Sequence, residues 1–280
     1  MDAIDTLLTR GIDTIYPSKD ALEKLLRSGK KVRVYQGFDP SGITLHIGHA
    51  VAMRKLAQFQ KLGATVIFLI GDFTGRIGDP TGKNAERKPL SEEEVKRNAK
   101  DYVRQASKIL DFEGDNPVQI MYNSQWLAKL TFADIIGLLS HFTVQQMIER
   151  DMFQNRLKSN IPIHLHEFLY PAMQGYDSVM MDVDIELGGT DQTFNMLAGR
   201  TLMKELKNKE KFVMTVPLLT DNSGKKIGKT EGNAIGISDD PIQFYGKIMS
   251  LPDSAIIPCF TLLTDTEDRE IEIMKDTLEK

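Results

Sequence analysis

The chain has 280 residues, 41% hydrophobic and 26% charged, with a formal net charge of −4 at pH 7. That length is ample for one large domain, or one with a smaller appendage, and the charge excludes a whole-chain basic signature, so any nucleic-acid partner would have to meet a local patch. The single cysteine, Cys259, excludes an intrachain disulfide framework and a cysteine-built zinc site, and the acidic start MDAIDTLLTRGIDTIYPS is neither a signal peptide nor a membrane span, so a cytoplasmic protein without a membrane partner is expected.

Residues 1–30 read as two helical stretches, the second (Lys19–Ser28) with Leu22, Leu25 and Leu26 on one side. The alternation Lys31-Val32-Arg33-Val34 reads as the first strand of a sheet. Next comes YQGFDPSGITLHIGH, Tyr35–His49, whose Gly37, Pro40, Gly42 and Gly48 require a sharp turn and allow close approach to the backbone. An amphipathic helix begins near His49. A strand, a glycine-bearing turn and a helix N-terminus make a natural anion site. His46 and His49 stand at its mouth, on one side of a helical turn. The same residues also suit a capped helix start with two surface histidines. Ala50–Leu62 places Met53, Leu56, Ala57 and Phe59 at helical spacing, with Gly63 as C-cap. Thr65–Ile70 is an apolar, β-branched run of the kind buried on both faces of a parallel sheet, which completes a βαβ unit.

Gly71–Arg87 reads as tight turns and then a loop. Ser91 and Glu94 form a capping box, with Leu90 and Val95 as its staple, for a helix running to about Leu110. Val118–Tyr122 is a third strand candidate, and 124–160 is helical with joins at Thr131 and Thr143. In the helix from about His164 to Met181, Tyr170, Gln174 and Asp177 fall at i, i+4 and i+7 on one face. A polar stripe is commonly a solvent face. Tyrosine is a poor choice for one, however, and Leu169, Met173, Val179 and Met180 leave the rest of the cylinder apolar. Asp184–Leu187 reads as a short strand, Gly188–Gln192 (GGTDQ) as the opening of another helix with Asp191 near its cap, and Phe212–Val216 as a fifth strand. After a turn at Asp221–Gly224, Lys225–Thr230 carries three lysines, ordinarily a solvated surface. The loops 37–42, 188–192 and 225–230 all follow strands, so in an open parallel sheet they can converge on one crevice. Past Gly236 the pattern is only helical, with Asp240-Pro241 as a helix start and a last helix from about Thr266. The expected architecture is α/β, a Rossmann-like doubly wound parallel sheet over 1–235, followed by a helical appendage, 236–280, that looks cut short.

His46-Ile47-Gly48-His49 and Lys226-Ile227-Gly228-Lys229-Thr230 resemble the two signatures of class I aminoacyl-tRNA synthetases. The first is HIGH in full; the second is KMSKS with Ile-Gly for Met-Ser and Thr for the last Ser. YxGFDP at Tyr35–Pro40, GDPTGK around Asp79, YxxxQxxD at Tyr170–Asp177 and GGTDQ at Gly188–Gln192 narrow the resemblance to bacterial-type tyrosyl-tRNA synthetases, densely over about 30–235. It implies ATP-dependent activation of L-tyrosine to tyrosyl-adenylate and transfer to tRNA(Tyr). The family's C-terminal tRNA-binding region would be incomplete, so impaired transfer is expected.

In that chemistry the tyrosine carboxylate arrives ionised, so positioning and charge stabilisation suffice. The resemblance implies that His46 and His49 donate near the ATP phosphates. Lys226, Lys229 and Thr230 would hold the pyrophosphate, and Lys83 and Arg87 would grip the same group. Gly37 and Asp39 would meet the α-phosphate through the backbone, Gly189 would let the nucleotide approach, and Asp191 would bind ribose hydroxyls. Tyr35 and Asp177 would reach the phenolic hydroxyl, Asp79, Tyr170 and Gln174 the α-ammonium, and Gln192 the carboxylate side. Mg2+ would come with ATP rather than in a protein cage. Two imidazoles without a third ligand make a poor zinc site, and His164 and His166, two apart on a helix, would point in different directions. The family works as a homodimer, here through about 131–160, with Phe142, Val144 and Met147 as apolar candidates. Tryptophan activation on the related fold is the rival within the enzyme class, and Tyr35 with Asp177 argues against it. A synthetase-like binding module without activity, or a different HxGH nucleotidyltransferase, would not need both motifs intact.

Overall fold

The computed structural model describes residues 2–42, 44–79, 91–220 and 234–278. Among them one sheet is built from β1 (Thr14–Tyr16), β2 (Arg33–Phe38), β3 (Thr65–Ile70), β4 (Gln119–Tyr122), β5 (Ile185–Gly189) and β6 (Phe212–Val216), in the order β1-β6-β5-β2-β3-β4. Strands β2 to β6 are parallel, and β1 lies antiparallel on the β6 edge. The helices in chain order are α1 (Ala3–Thr9), α2 (Lys19–Arg27), α3 (Ile47–Lys61), α4 (Thr74–Ile77), α5 (Glu92–Ala106), α6 (Ser124–Leu127) and α7 (Phe132–Leu139). They continue as α8 (Val144–Ile148), α9 (Asp151–Lys158), α10 (Leu169–Met181), α11 (Thr193–Lys207), α12 (Pro241–Met249), α13 (Ile256–Leu263) and α14 (Asp268–Leu278). None of the described helices is long and apolar enough to cross a membrane.

The sequence of β3, TVIFLI, shows why the sheet is covered on both faces. Val66, Phe68 and Ile70 pack into one cluster with Met53, Leu56 and Phe59 of α3 and Ala99 and Tyr102 of α5. Ile67 and Leu69 point the other way, onto Trp126 of α6 and Tyr170 and Met173 of α10. The period-2 alternation of a strand thus feeds two apolar layers at once. A third cluster, with Leu138, Met147, Ala172, Val179 and Leu202, seals α10 against α7, α8 and α11.

From β2 the chain builds outward through β3 to β4, then returns to place β5 on the other side of β2. The strand order therefore reverses between β2 and β5, and the carboxyl ends of those strands open a crevice at the switch point. Asp184 pins this junction at its amino end. Its carboxylate accepts the Arg33 N–H at 2.9 Å and pairs with Lys30 at 2.9 Å, and its own N–H donates to the Arg33 carbonyl.

Several boundaries differ from the sequence reading. Residues 1–30 contain a strand, β1, besides the two helices, so the sheet is not wholly parallel; a three-residue strand is too short to show periodicity. Gly37 and Phe38 belong to β2 rather than to the turn after it. The helix capped by Ser91 ends at Ala106, before Leu110. Thr131 and Thr143 do cap α7 and α8, but a further break falls at Arg150. Gly188 and Gly189 end β5, and a 3-10 turn (Thr190–Gln192) precedes α11. Leu90, the turn at 221–224 and the lysine loop at 225–230 lie outside the described residues.

After Gly236, α13 packs on α3, α12 meets Ile47 at the start of α3, and α14 packs on α13. The Ile47 N–H donates to the Ile235 carbonyl at 2.9 Å, and the Ile237 N–H to the Leu45 carbonyl at 3.0 Å. The Arg10 guanidinium donates to the carbonyls of Phe260, Thr261, Thr264 and Thr266.

Candidate active site

Every sequence-derived site residue among the described ones lines a single cleft at the switch point. Tyr35 and Gly37 come from β2, Asp39 from just beyond it, His46 and His49 from the start of α3, and Asp79 from after α4. Tyr170, Gln174 and Asp177 face it from α10, and Gly189, Asp191 and Gln192 from the end of β5 and the turn that follows. The polar stripe of α10 therefore faces the cleft, not bulk water. Lys83, Arg87, Lys226, Lys229 and Thr230 lie outside the described residues.

The two imidazoles cap α3 reciprocally. His46 Nδ1 accepts the Gly48 N–H at 3.2 Å and His49 Nδ1 accepts the His46 N–H at 3.1 Å; the rings are 3.9 Å apart between centroids. An Nδ1 that accepts is unprotonated, so each neutral ring carries its proton on Nε2 as a donor. The helix start is fixed from behind by Gln105, whose side-chain carbonyl accepts the Leu45 N–H at 2.8 Å. The histidines therefore cap the helix at the edge of the cleft, and His46 is buried rather than a surface residue.

Deeper in, Asp177 is 2% exposed. Trp126 Nε1 donates to its Oδ1 at 2.7 Å and Asn123 Nδ2 to its Oδ2 at 3.2 Å. Burial pushes this carboxyl well above the usual range, against those two donors, with Glu186 and Asp39 adding to the rise. The Tyr35 hydroxyl lies 2.8 Å from Ser178 Oγ, and burial, then Glu186 and Asp177, push its phenol up. Burial, then Asp39 and Asp79, do the same to Tyr170. Both phenols are therefore neutral, able to donate and to accept.

The Tyr170 hydroxyl donates to Asp39 Oδ2 at 2.7 Å, and Thr74 donates to Asp39 Oδ1 at 2.7 Å. The carboxylate of Asp39 is thus turned toward α10. Asn123 bridges the two acids, since its Nδ2 also donates to Thr74 at 2.9 Å. Asp79 is held by Arg150 at 2.8 Å on one oxygen and by Gln192 at 2.8 Å on the other. Asp191 folds over Gly189, where a Cβ would come 2.6 Å from its Oδ1. The result is a slot with the buried polar groups of Tyr35 and Asp177 at its floor, carboxylates at its waist and imidazoles at its rim.

Sequence reasoning missed Asn123, Trp126, Ser178 and Arg150. Asn123 and Trp126 follow β4 directly, the same strand-end position that marked the other loops. Ser178 adjoins Asp177. Arg150 stands in a Glu-Arg-Asp run that reads as surface, yet its side chain is buried against Asp79. His164 and His166 do not point apart: their rings are 5.8 Å between centroids and 25° from parallel, because His164 lies before the 3-10 turn (Leu165–Phe168), not within a helix. Met147 is 5% exposed and packs into the third cluster, and Phe142 is half-buried, whereas Val144 is 68% exposed. Among the described residues no three His, Cys, Asp or Glu are grouped to hold a metal ion.

The family profile described as tRNA synthetases class I (W and Y) matches residues 27–280, and the chain belongs to that family. It is 49% identical over 277 residues to the tyrosine--tRNA ligase of Carboxydothermus hydrogenoformans, covering 98% of this chain and 67% of that protein. It is 48% identical over 267 residues to the tyrosine--tRNA ligase of Thermotoga maritima, covering 95% and 66%. The chain thus spans about two thirds of the length of these relatives. A C-terminally truncated Aspergillus nidulans mitochondrial tyrosyl-tRNA synthetase superposes with a TM-score of 0.78 at 23% identity, over 99% of this chain and 84% of that one. The Archaeoglobus fulgidus tyrosyl-tRNA synthetase complexed with L-tyrosine gives 0.74 at 21%, over 94% and 81%. These two establish the shared fold.

Proposed function

We propose that this chain activates L-tyrosine with ATP, as its magnesium complex, to tyrosyl-adenylate and passes the tyrosyl group to tRNA(Tyr). The observation that carries the choice of amino acid is the buried Asp177, held by Trp126 and Asn123 beside the Tyr35 hydroxyl. A site built to bond a hydroxyl rejects an amino acid lacking one, because its own polar groups would be left unpaired. The α-ammonium is assigned to Asp79, Tyr170 and Gln174, joined by Asp39, which already bonds Tyr170. Gln192 lies at the carboxylate side.

The tyrosine carboxylate attacks the α-phosphorus and pyrophosphate leaves. No base is needed; held geometry and donors toward the phosphate oxygens lower the barrier. His46 and His49 supply Nε2–H donors at the α3 N-terminus, where the helix dipole also favours anions. Lys226, Lys229, Thr230, Lys83 and Arg87 are assigned to the pyrophosphate, the Gly37 and Asp39 backbone to the α-phosphate, and Gly189 and Asp191 to the nucleoside. Tyrosine-dependent ATP–pyrophosphate exchange tests these roles. His49→Ala and Lys229→Ala should each lower it by about a hundredfold or more, the scale of one lost donor to transition-state charge. A loss of only a few-fold in either would remove that residue from the assignment.

The working form is a cytoplasmic homodimer joined through about 131–160. Support comes from the exposed apolar side chains Phe132, Ile136 and Val144 in that segment. Residues 236–280 are read as the start of a helical anticodon-binding region attached to a catalytic body over 1–235.

A further inference from the structure

Two buried charges behind the cleft have no role in the chemistry above. Glu186, in the middle of β5, is 1% exposed, and Lys211, just before β6, is 0% exposed. The Lys211 ammonium donates to Glu186 Oε2 and, at 3.0 Å, to the Met196 carbonyl. Room for it exists because α11 has Gly199 there: a Cβ would come 2.4 Å from Lys211 Nζ and 2.9 Å from Ser178 Oγ. Burial pushes the Lys211 ammonium below its usual range, with Glu186 opposing the fall. A buried ion pair is a poor device for stability, since an apolar pair of similar volume commonly does as well.

The cleft side of Glu186 gives the pair a purpose. Its Oε1 accepts from Gln174 Nε2 at 2.9 Å, and its Oε2 from Ser178 Oγ at 3.4 Å, the same hydroxyl that lies against Tyr35. An ionised carboxylate can only accept. Facing one, the Gln174 amide presents its NH2, and its carbonyl is the end left for the cleft. A flipped amide would set N–H donors against a cationic amine.

We propose that Glu186 and Lys211 are positioning residues for the amino-acid subsite. Lys211 keeps Glu186 an acceptor, and Glu186 fixes the Gln174 amide with its carbonyl toward the substrate α-ammonium. This rests on the tyrosine-activating reading. The other acid acting on Lys211, Asp177, holds donors of its own from Asn123 and Trp126, and among the described residues the acceptor of the Gln174 amide is Glu186.

Glu186→Gln tests it at constant volume. Lys211 claims the new amide's carbonyl, the new NH2 faces Gln174, and Gln174 must flip. Adding Lys211→Met removes that claim, so the introduced carbonyl can again accept from Gln174. The readout is inhibition or binding of two ligands by the full chain: L-tyrosine, and 3-(4-hydroxyphenyl)propanoate, which lacks the amine. Glu186→Gln should weaken tyrosine about tenfold or more, the scale of a bond to a charged group, and the amine-free analogue by less than about threefold. The double variant should regain tyrosine to within about threefold. Lys211→Met alone, which removes the donor that holds Glu186 Oε2 and so releases the carboxylate facing Gln174, should show the same selective loss and stands in if Glu186→Gln does not fold. Equal weakening of both ligands, or a folded double variant without recovery, would overturn the role of the pair. A wild-type chain without tyrosine-dependent exchange would overturn the underlying reading instead.

Discussion

In the proposed function, the choice of substrate turns on Asp177. Its surroundings disfavour its charge, yet Trp126 and Asn123 aim donors at both oxygens. A carboxyl held this way costs stability and is kept as a ready acceptor. Trp126→Phe removes one donor while leaving an aromatic ring in place. The expected result is a rise in tyrosine KM of about fivefold, the worth of one hydrogen bond, with the KM for ATP nearly unchanged. Steady-state exchange kinetics check this; a parallel rise in both constants would mean that Trp126 only supports packing. At this scale, placement was legible where a motif repeats a spacing: the helical interval of Tyr170, Gln174 and Asp177 puts three polar groups on one face, and all three line the cleft. Asn123, Arg150 and Lys211 were not legible, because their roles come from partners far away in sequence and nothing local distinguishes a buried arginine in Glu-Arg-Asp, or a buried lysine in Lys-Glu-Lys, from a solvated one.

At the scale of elements, β2 and β5 are joined at their amino ends by Asp184. Burial raises its carboxyl, but the Lys30 ammonium, the Arg33 amide and Lys209 outweigh that and hold it below its ordinary value of 3.8. A folded value below the unfolded one means stabilisation that is fully present above pH 3.8 and lost as pH falls through the folded value. Asp184→Asn should cost about 2 kcal/mol at pH 7, and the gap to wild type should narrow below about pH 4. Urea unfolding at the two pH values measures it; a cost that stays constant would show that charge is not what Asp184 contributes. The strands β3 and β6 were readable because runs buried on both faces have an unmistakable composition. The edge strand β1 was not, because three residues carry no period and its pairing with β6 is set by tertiary contact. Two helix ends were misread: Ser107 closes α5 early, and the backbone turns at Arg150, whose side chain goes to Asp79 rather than to a cap.

At the scale of the whole molecule, one feature of the sheet gathers the site: the reversal of strand order between β2 and β5. It brings the helix start bearing His46 and His49 to the same opening as the α10 stripe, although more than a hundred residues separate them in the chain. Opposite this organised interior, α7 leaves Phe132, 79% exposed, and Ile136 on one helical face. If the homodimer forms there, Phe132→Asp should shift sedimentation toward the monomer at micromolar concentration while far-ultraviolet circular dichroism stays that of wild type. Unchanged sedimentation would move the interface elsewhere. The joining of an imidazole-bearing helix start to a phenol-binding floor in one cleft remains the central claim, and amino-acid-dependent ATP–pyrophosphate exchange reaches it most directly. With tyrosine, tryptophan and phenylalanine offered separately to the same preparation, exchange should appear with tyrosine and stay near background with the other two. Exchange with tryptophan equal to that with tyrosine, or none with tyrosine, would contradict it.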